Sequence, residues 1–152
     1  VLFEFRTKGN ANARGTSSLS GRVIAAVAES GMFGQLSTTV GGADTPLLKI
    51  IIDNVADTGS AAAKGVGTGL TLGLAGSLVT DNYNCAASYT SQGKTTETTV
   101  HNALLSTIGN HSAPPGMTPV MTHDAINQIV DQLVWHALVQ LDQQRAFGLD
   151  KP

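Results

Sequence analysis

The four histidines are the residues of this chain best suited to exchange a proton or hold a metal near neutral pH, and their spacing supports neither use. His101, His111, His123 and His136 lie ten to thirteen residues apart, with no i,i+4 pair and no HxH or HExxH, so no two of them share a helix face as zinc ligands do. They read as surface or boundary histidines. A single cysteine, Cys85, excludes an intramolecular disulfide, zinc knuckles and CxxC redox pairs; a lone cysteine most often packs as a small hydrophobe. Gly93-Lys94-Thr95 ends as a phosphate-binding loop ends, but Ser88 stands where the first glycine is required. Gly65, Gly67 and Gly69 miss the dinucleotide pattern because Leu70 and Leu72 occupy the final glycine positions. No GxSxG elbow occurs. Asp53 and Asp57 have no basic or histidine neighbour in sequence and read as solvated carboxylates, and Asn110-His111-Ser112 is only a common glycosylation-acceptor match. No catalytic, cofactor-binding or metal-ligating residue is assigned, and the chain is not expected to be an enzyme; a site would have to be assembled from residues remote in sequence.

Composition points toward association. The chain has 152 residues, a length suited to one domain. It is 41% hydrophobic and only 13% charged, with a net charge of −2, against roughly 25% charged residues in typical soluble domains. A surface so poor in charge repels like copies weakly. No Lys or Arg lies between Lys94 and Arg145, so nucleic acid is not an expected partner. A homo-oligomer is.

The elements that must position any functional surface follow from periodicity. Residues 1–6 alternate Val1, Phe3 and Phe5 against Leu2, Glu4 and Arg6, as a half-buried strand does. Residues 7–16 read as a loop. Ser17 or Ser18 then caps a helix over about 17–31 with Leu19, Val23, Ile24 and Val27 as its apolar stripe, ended by Gly31 or Gly34. Residues 35–40 read as a strand, and residues 47–55 as the strongest and most central one, with Leu48, Ile50 and Ile52 on one face and Leu47, Ile51 and Val55 on the other. A hairpin follows, with Tyr83, Cys85, Ala87 and Tyr89 on one side, a Ser91-Gln-Gly-Lys94 turn, and a β-rich partner over 95–108. A breaker-rich loop over 109–119 leads to a long helix, about 122–147, whose stripe is Ile126, Val130, Leu133, Val134, Ala137 and Leu141. The fold class is α+β: a largely antiparallel sheet of five or six strands, with both helices on one face. Residues 1–152 form a single domain, with a Gly-rich flexible and apolar segment at 56–80.

Three surfaces stand out. Trp135 and Val139 lie on the final helix opposite its apolar stripe, among Gln128, Asp131, Gln132 and Asp142. They mark a subunit interface, since aromatic residues are enriched in interface centres; a Trp covering a loop of its own subunit is the competing reading. Leu70, Leu72 and Leu74 alternate with smaller residues in the uncharged run 65–79. As a helix that run would reach only about 22 Å, short of the roughly 30 Å hydrocarbon core, so it reads as a strand whose apolar face packs in the sheet core or meets lipid or a neighbouring subunit. Tyr83 and Tyr89 offer an alternative ligand face for a glycan, lipid or peptide, as does the 109–119 loop.

Taken in order, these elements resemble small lipoproteins of the Gram-negative outer membrane. The phrases that carry the likeness are Ser30-Gly-Met-Phe-Gly34, residues 47–55, residues 65–79, Ser88-Tyr-Thr-Ser-Gln-Gly-Lys-Thr95, Thr107-Ile-Gly-Asn110 and the final helix. The arrangement is similar to the TraT surface-exclusion lipoproteins and to the PelC-type lipoproteins of exopolysaccharide export. This resemblance implies a non-enzymatic structural component of an envelope or export assembly, homo-oligomeric and ring-forming in several members. It also implies a periplasmic location, anchored to the outer membrane by a segment upstream of Val1, with outer-membrane lipid and other envelope proteins as partners. Two features depart from it. Cys85 lies mid-strand and cannot carry the lipid, and residues 64–79 give one short apolar run where the TraT type has a longer double one. A small periplasmic binding module is the alternative.

Overall fold

A computed structural model describes residues 1–42, 45–55, 77–108, 115–116, 118 and 120–148. Its strands are β1 (Leu2–Thr7), β2 (Asn10–Ala11), β3 (Leu47–Asn54), β4 (Ser77–Ser91) and β5 (Lys94–Ile108), and its helices are α1 (Ala13–Glu29) and α2 (Thr122–Gln143). The architecture is α+β. The five strands run in the order β2-β1-β3-β4-β5, with β1 and β3 parallel and every other pair antiparallel. The parallel pair follows from α1, which carries the chain from the end of β1 back to the start of β3, as a crossover between parallel strands must.

The strand over 47–55 is central, as its two apolar faces predict: β3 is third of five, between β1 and β4. Leu48, Ile50 and Ile52 are buried beneath the helices together with Tyr83, Cys85, Ala87 and Val100, while Leu47, Lys49, Ile51 and Asp53 face the other way. From above, α1 contributes Val23 and Val27 to this core, and α2 contributes Val130, Leu133, Val134, Ala137, Leu138 and Leu141. On α2, Ile126 is only half-buried and Ile129 takes the deeper place, a small rotation of the expected stripe. The helix ends at Gln143, and residues 144–147 continue as turns after it.

Residues 95–108, whose apolar spacing fits a helix as well, form strand β5. It pairs with β4 over fifteen rungs, from Ser91↔Lys94 to Ser77↔Ile108, without a bulge. The turn sets this register. Gln92 and Gly93 have φ of 50° and 74°, the two positive values of a two-residue type I′ hairpin turn, which glycine adopts freely.

Two expectations are corrected. Residues 7–16 are not a loop up to a Ser17 or Ser18 cap: β2 occupies Asn10–Ala11 and α1 starts at Ala13, four residues before the expected helix start at 17. The reason lies in Asn12, whose side chain accepts the Gly15 N–H at 2.9 Å while its carbonyl accepts from the Thr16 N–H and hydroxyl. A side-chain oxygen placed to satisfy an orphan helix N–H defines an N-cap. Asn12→Ala is expected to cost about 1 kcal/mol, read as a fall in melting temperature with unchanged far-UV circular dichroism. At the other end Gly31, with φ of 67°, stops the helix as expected.

Residues 35–40 are not a strand. Both sides of β3 are taken by β1 and β4, and the segment instead satisfies itself locally. Ser37 Oγ accepts the Thr39 N–H at 3.1 Å, and the Ser37 carbonyl accepts from the Val1 nitrogen. β-branched composition without a place beside the neighbouring strand does not make a strand.

Candidate functional site

The flanks of α2 are fixed by polar contacts on either side. Toward α1, Arg22 forms a two-pronged pair with Asp131, its Nη2 to Oδ2 distance being 2.6 Å, and Glu29 lies 3.6 Å from the same guanidinium. The hydrogen bond to Asp131 is the main reason the Arg22 pKa is raised. Toward β5, the Asn102 amide donates to Gln132 Oε1 at 2.6 Å, and the Thr98 hydroxyl donates to the Gln140 side chain. At 100° per residue, Trp135 falls on the outer surface between Asp131 and Gln132, and Val139 falls one turn further on. Trp135 is 50% exposed and Val139 is half-buried. The sequence places both opposite the apolar stripe, and there they are. Among the described residues the indole meets no aromatic ring.

The sheet face away from the helices is uncovered by any described element. Cross-strand register arranges it in rows: Leu2, Lys49, Ser88 and Glu97; then Glu4, Ile51, Ala86 and Thr99; then Arg6, Asp53, Asn84 and His101. Small residues Ala86 and Ser88 at mid-sheet leave a shallow hollow of about 200 Å³, flanked by Lys49, Ile51, Glu97 and Thr99. In the third row the His101 ring, through Nδ1, lies 2.7 Å from the Asn84 side-chain amide. Asp53 accepts the Gly9 N–H through both carboxylate oxygens, at 3.1 and 3.0 Å. Glu4 bonds Arg6, and this hydrogen bond holds its carboxyl below the ordinary carboxylate range.

The tyrosines are separated by depth. Tyr83 is 5% exposed within the core, and burial followed by the nearby Asp81 charge pushes its phenol pKa up against a hydrogen bond with Asn54. Its ring cannot stack on a ligand. Tyr89 lies at the core's rim in a cluster with Phe33 and Phe147, with ring centroids 4.9–6.3 Å apart. Phe33 and Tyr89 of this cluster line a cleft of about 670 Å³ bordered by Met32, Leu36, Val40 and Leu47, whose described lining carries no charged side chain. Met32, Phe33 and Leu36 were not read from the sequence as lining a ligand site; their signal is three apolar residues just beyond a helix-ending glycine.

Cys85 is fully buried, and burial pushes its thiol up to about 12, so it is chemically quiet. His123 is exposed beside Asn127 and Asp124, His136 is exposed next to Trp135, and among the described residues no three His, Cys, Asp or Glu side chains gather as a metal site. Leu70, Leu72, Leu74, His111, and the 109–114 part of the Pro-rich loop lie outside the described residues. No described helix is long and apolar enough to cross a membrane. No family model matches the chain, and no curated protein or solved structure is significantly similar to it.

Proposed function

We propose that this domain is a non-enzymatic structural component of an envelope or export assembly: a ring-forming or otherwise oligomeric lipoprotein domain at the periplasmic side of the outer membrane. The observation that carries the reading is Trp135, half exposed on the outer surface of α2 with Val139 beside it. Exposing an indole to water forfeits a large apolar area, and a Trp so placed is the residue type most enriched among interface anchors. Low surface charge supports the same reading. With 13% charged residues and a net charge of −2, little long-range repulsion opposes packing of copies. The envelope setting rests on the likeness in element order. The Arg22–Asp131 pair beside Trp135 is part-exposed and adds little stability of its own, but it ties α2 to α1 and so presents the indole on a fixed surface.

Light scattering coupled to size exclusion, with and without a mild detergent, tests the proposal. A discrete species of several chain masses is expected, and a monomer in both conditions contradicts it.

A second reading, a small binding module, is favoured by the cleft beside Tyr89. A lining without charged side chains and a volume of about 670 Å³ suit a largely apolar ligand of drug-like size. Saturable binding of such ligands, lost in Tyr89→Ala, would support it.

A further inference from the structure

The two edges of the sheet are finished in opposite ways. On the outer edge of β1, the Phe5 N–H is taken by Thr16 Oγ1 at 2.8 Å, and the Phe5 carbonyl by the Asn12 N–H at 2.8 Å. The Arg6 and Thr7 positions are paired by β2, and the Val1 nitrogen is engaged by Ser37. Phe3 alone on that edge has no described partner. The edge formed by β5 is open among the described residues. Since Ser91 and Lys94 flank a two-residue turn, they form a hydrogen-bonded pair, and such pairs recur at every second rung. The even-numbered residues of β5 therefore bond to β4, and Thr95, Glu97, Thr99, His101, Ala103 and Leu105 turn their backbone groups outward. Ala103 agrees with this: its N–H bonds to the Asn102 side chain at 2.8 Å instead of to β4. No described residue bonds the outward backbone groups of the other five.

Proteins commonly blunt such an edge with lysines, proline, a bulge or a short strand. β5 has fifteen residues, no proline and no bulge, and it carries no charged residue from Thr98 to Ile108. Beyond Asn82, where β3 makes its last bond, β4 and β5 continue as a ribbon only two strands wide among the described residues, and an isolated two-stranded ribbon is marginal in water.

We infer that the outer edge of β5 pairs antiparallel with the same edge of a second copy, about a two-fold axis at His101, joining two sheets into one. This deepens the oligomer proposed above and rests on it. The occupant is a copy of β5 because the other edge of a copy is taken from Phe5 to Thr7 and at Val1, and Phe3 alone is too short a stretch for head-to-tail edge pairing. The axis falls at His101 because that residue is the midpoint of the strand. In this register every outward residue meets an outward residue: His101 meets His101 of the copy, Thr99 meets Ala103, and Glu97 meets Leu105. Lys94 and Glu97 of one copy lie far along the strand from those of the other, so no like charges of these residues oppose. α2 runs antiparallel to β5, since Gln132 stands over Asn102 and Gln140 over Thr98. The two copies of α2 then lie on the same face of the joined sheet. A two-fold contact closes on itself, so a ring must be built from such pairs through a second surface, for which Trp135 is placed.

The test compares the native chain with Thr99→Pro, which deletes an outward N–H and no bond to β4, and with Thr99→Cys, His101→Cys and Ala103→Cys, each oxidised with diamide while Cys85 stays buried. The native oligomer is expected to hold an even number of chains, and Thr99→Pro to halve its mass or reduce it to monomer with circular dichroism retained. His101→Cys should give a covalent dimer, because the Cα atoms of a hydrogen-bonded pair lie about 5.5 Å apart, within disulfide reach. A monomeric native chain overturns both this inference and the proposed function. A native oligomer with an odd number of chains, or one whose mass survives Thr99→Pro with no cross-link at any of the three positions, overturns this inference alone. If Thr99→Pro does not fold, the cross-links decide.

Discussion

Ile52→Ala is expected to lower the unfolding free energy by about 2–5 kcal/mol, with a fall in melting temperature on the order of 10 °C. Ile52 is fully buried in β3, opposite Phe5 on one side and Cys85 on the other, under the two helices. Removing its outer methyl groups takes away their transfer free energy and leaves a cavity that the surrounding sheet cannot collapse around, because both neighbouring strands are fixed by backbone ladders. Ile51→Ala is the control. It differs by one position and lies half-buried on the uncovered face, where water fills the space, so a loss under about 1 kcal/mol is expected in the isolated chain. Urea unfolding of both variants checks the difference, and equal losses would mean that the sheet is buried on both faces.

Trp135→Ala is expected to weaken self-association by about 2 kcal/mol or more, roughly a 30-fold rise in dissociation constant, while moving the melting temperature of the dissociated chain little. The asymmetry follows from placement. The indole is half exposed and stands outside the core formed by α2's other face, so truncation removes contact area with a partner and little packing within the subunit. Sedimentation of the variant at several concentrations, alongside its melting curve, separates the two effects. An unchanged mass with a lowered melting temperature would instead show the indole covering its own subunit.

Where the sequence was readable, one periodicity had no competitor. Residues 47–55 carry apolar side chains on both faces, which only a central strand can bury, and α2 repeats its apolar stripe over most of its length. The choice of strand for residues 95–108 depended on the Gln92-Gly93 turn and the threonines, and the turn geometry is what carries it. Residues 35–40 misled because β-propensity describes a fit to a half-buried pleated surface, and both flanks of β3, the strand that follows them, are taken by β1 and β4. The start of α1 was missed because Asn12 caps through a side-chain bond that Ser17 and Ser18 could have made equally well on paper.

The candidate surfaces divided similarly. Trp135 was legible because it breaks a clear helical pattern. The burial of Tyr83 and partial exposure of Tyr89 were not, since both share one face of β4 and Tyr89 lies at the rim, against Phe147 in the turns beyond the helix. The contrast between the largely closed edge of β1 and the open edge of β5 was invisible for a different reason. It depends on strand order, which local pattern does not specify, and on which backbone groups the Asn12 and Thr16 side of α1 happens to reach.

Trp135 is the chain's only tryptophan, so its fluorescence reports on the proposed contact surface without labels. Acrylamide quenching of that emission, measured over a dilution series in which the mass is followed in parallel, tests the central claim most directly. Assembly through the outer face of α2 predicts an indole shielded from quencher at concentrations where the oligomer forms, and quenching that rises as the mass falls. Strong quenching that is the same at every concentration, whatever the mass, would contradict it.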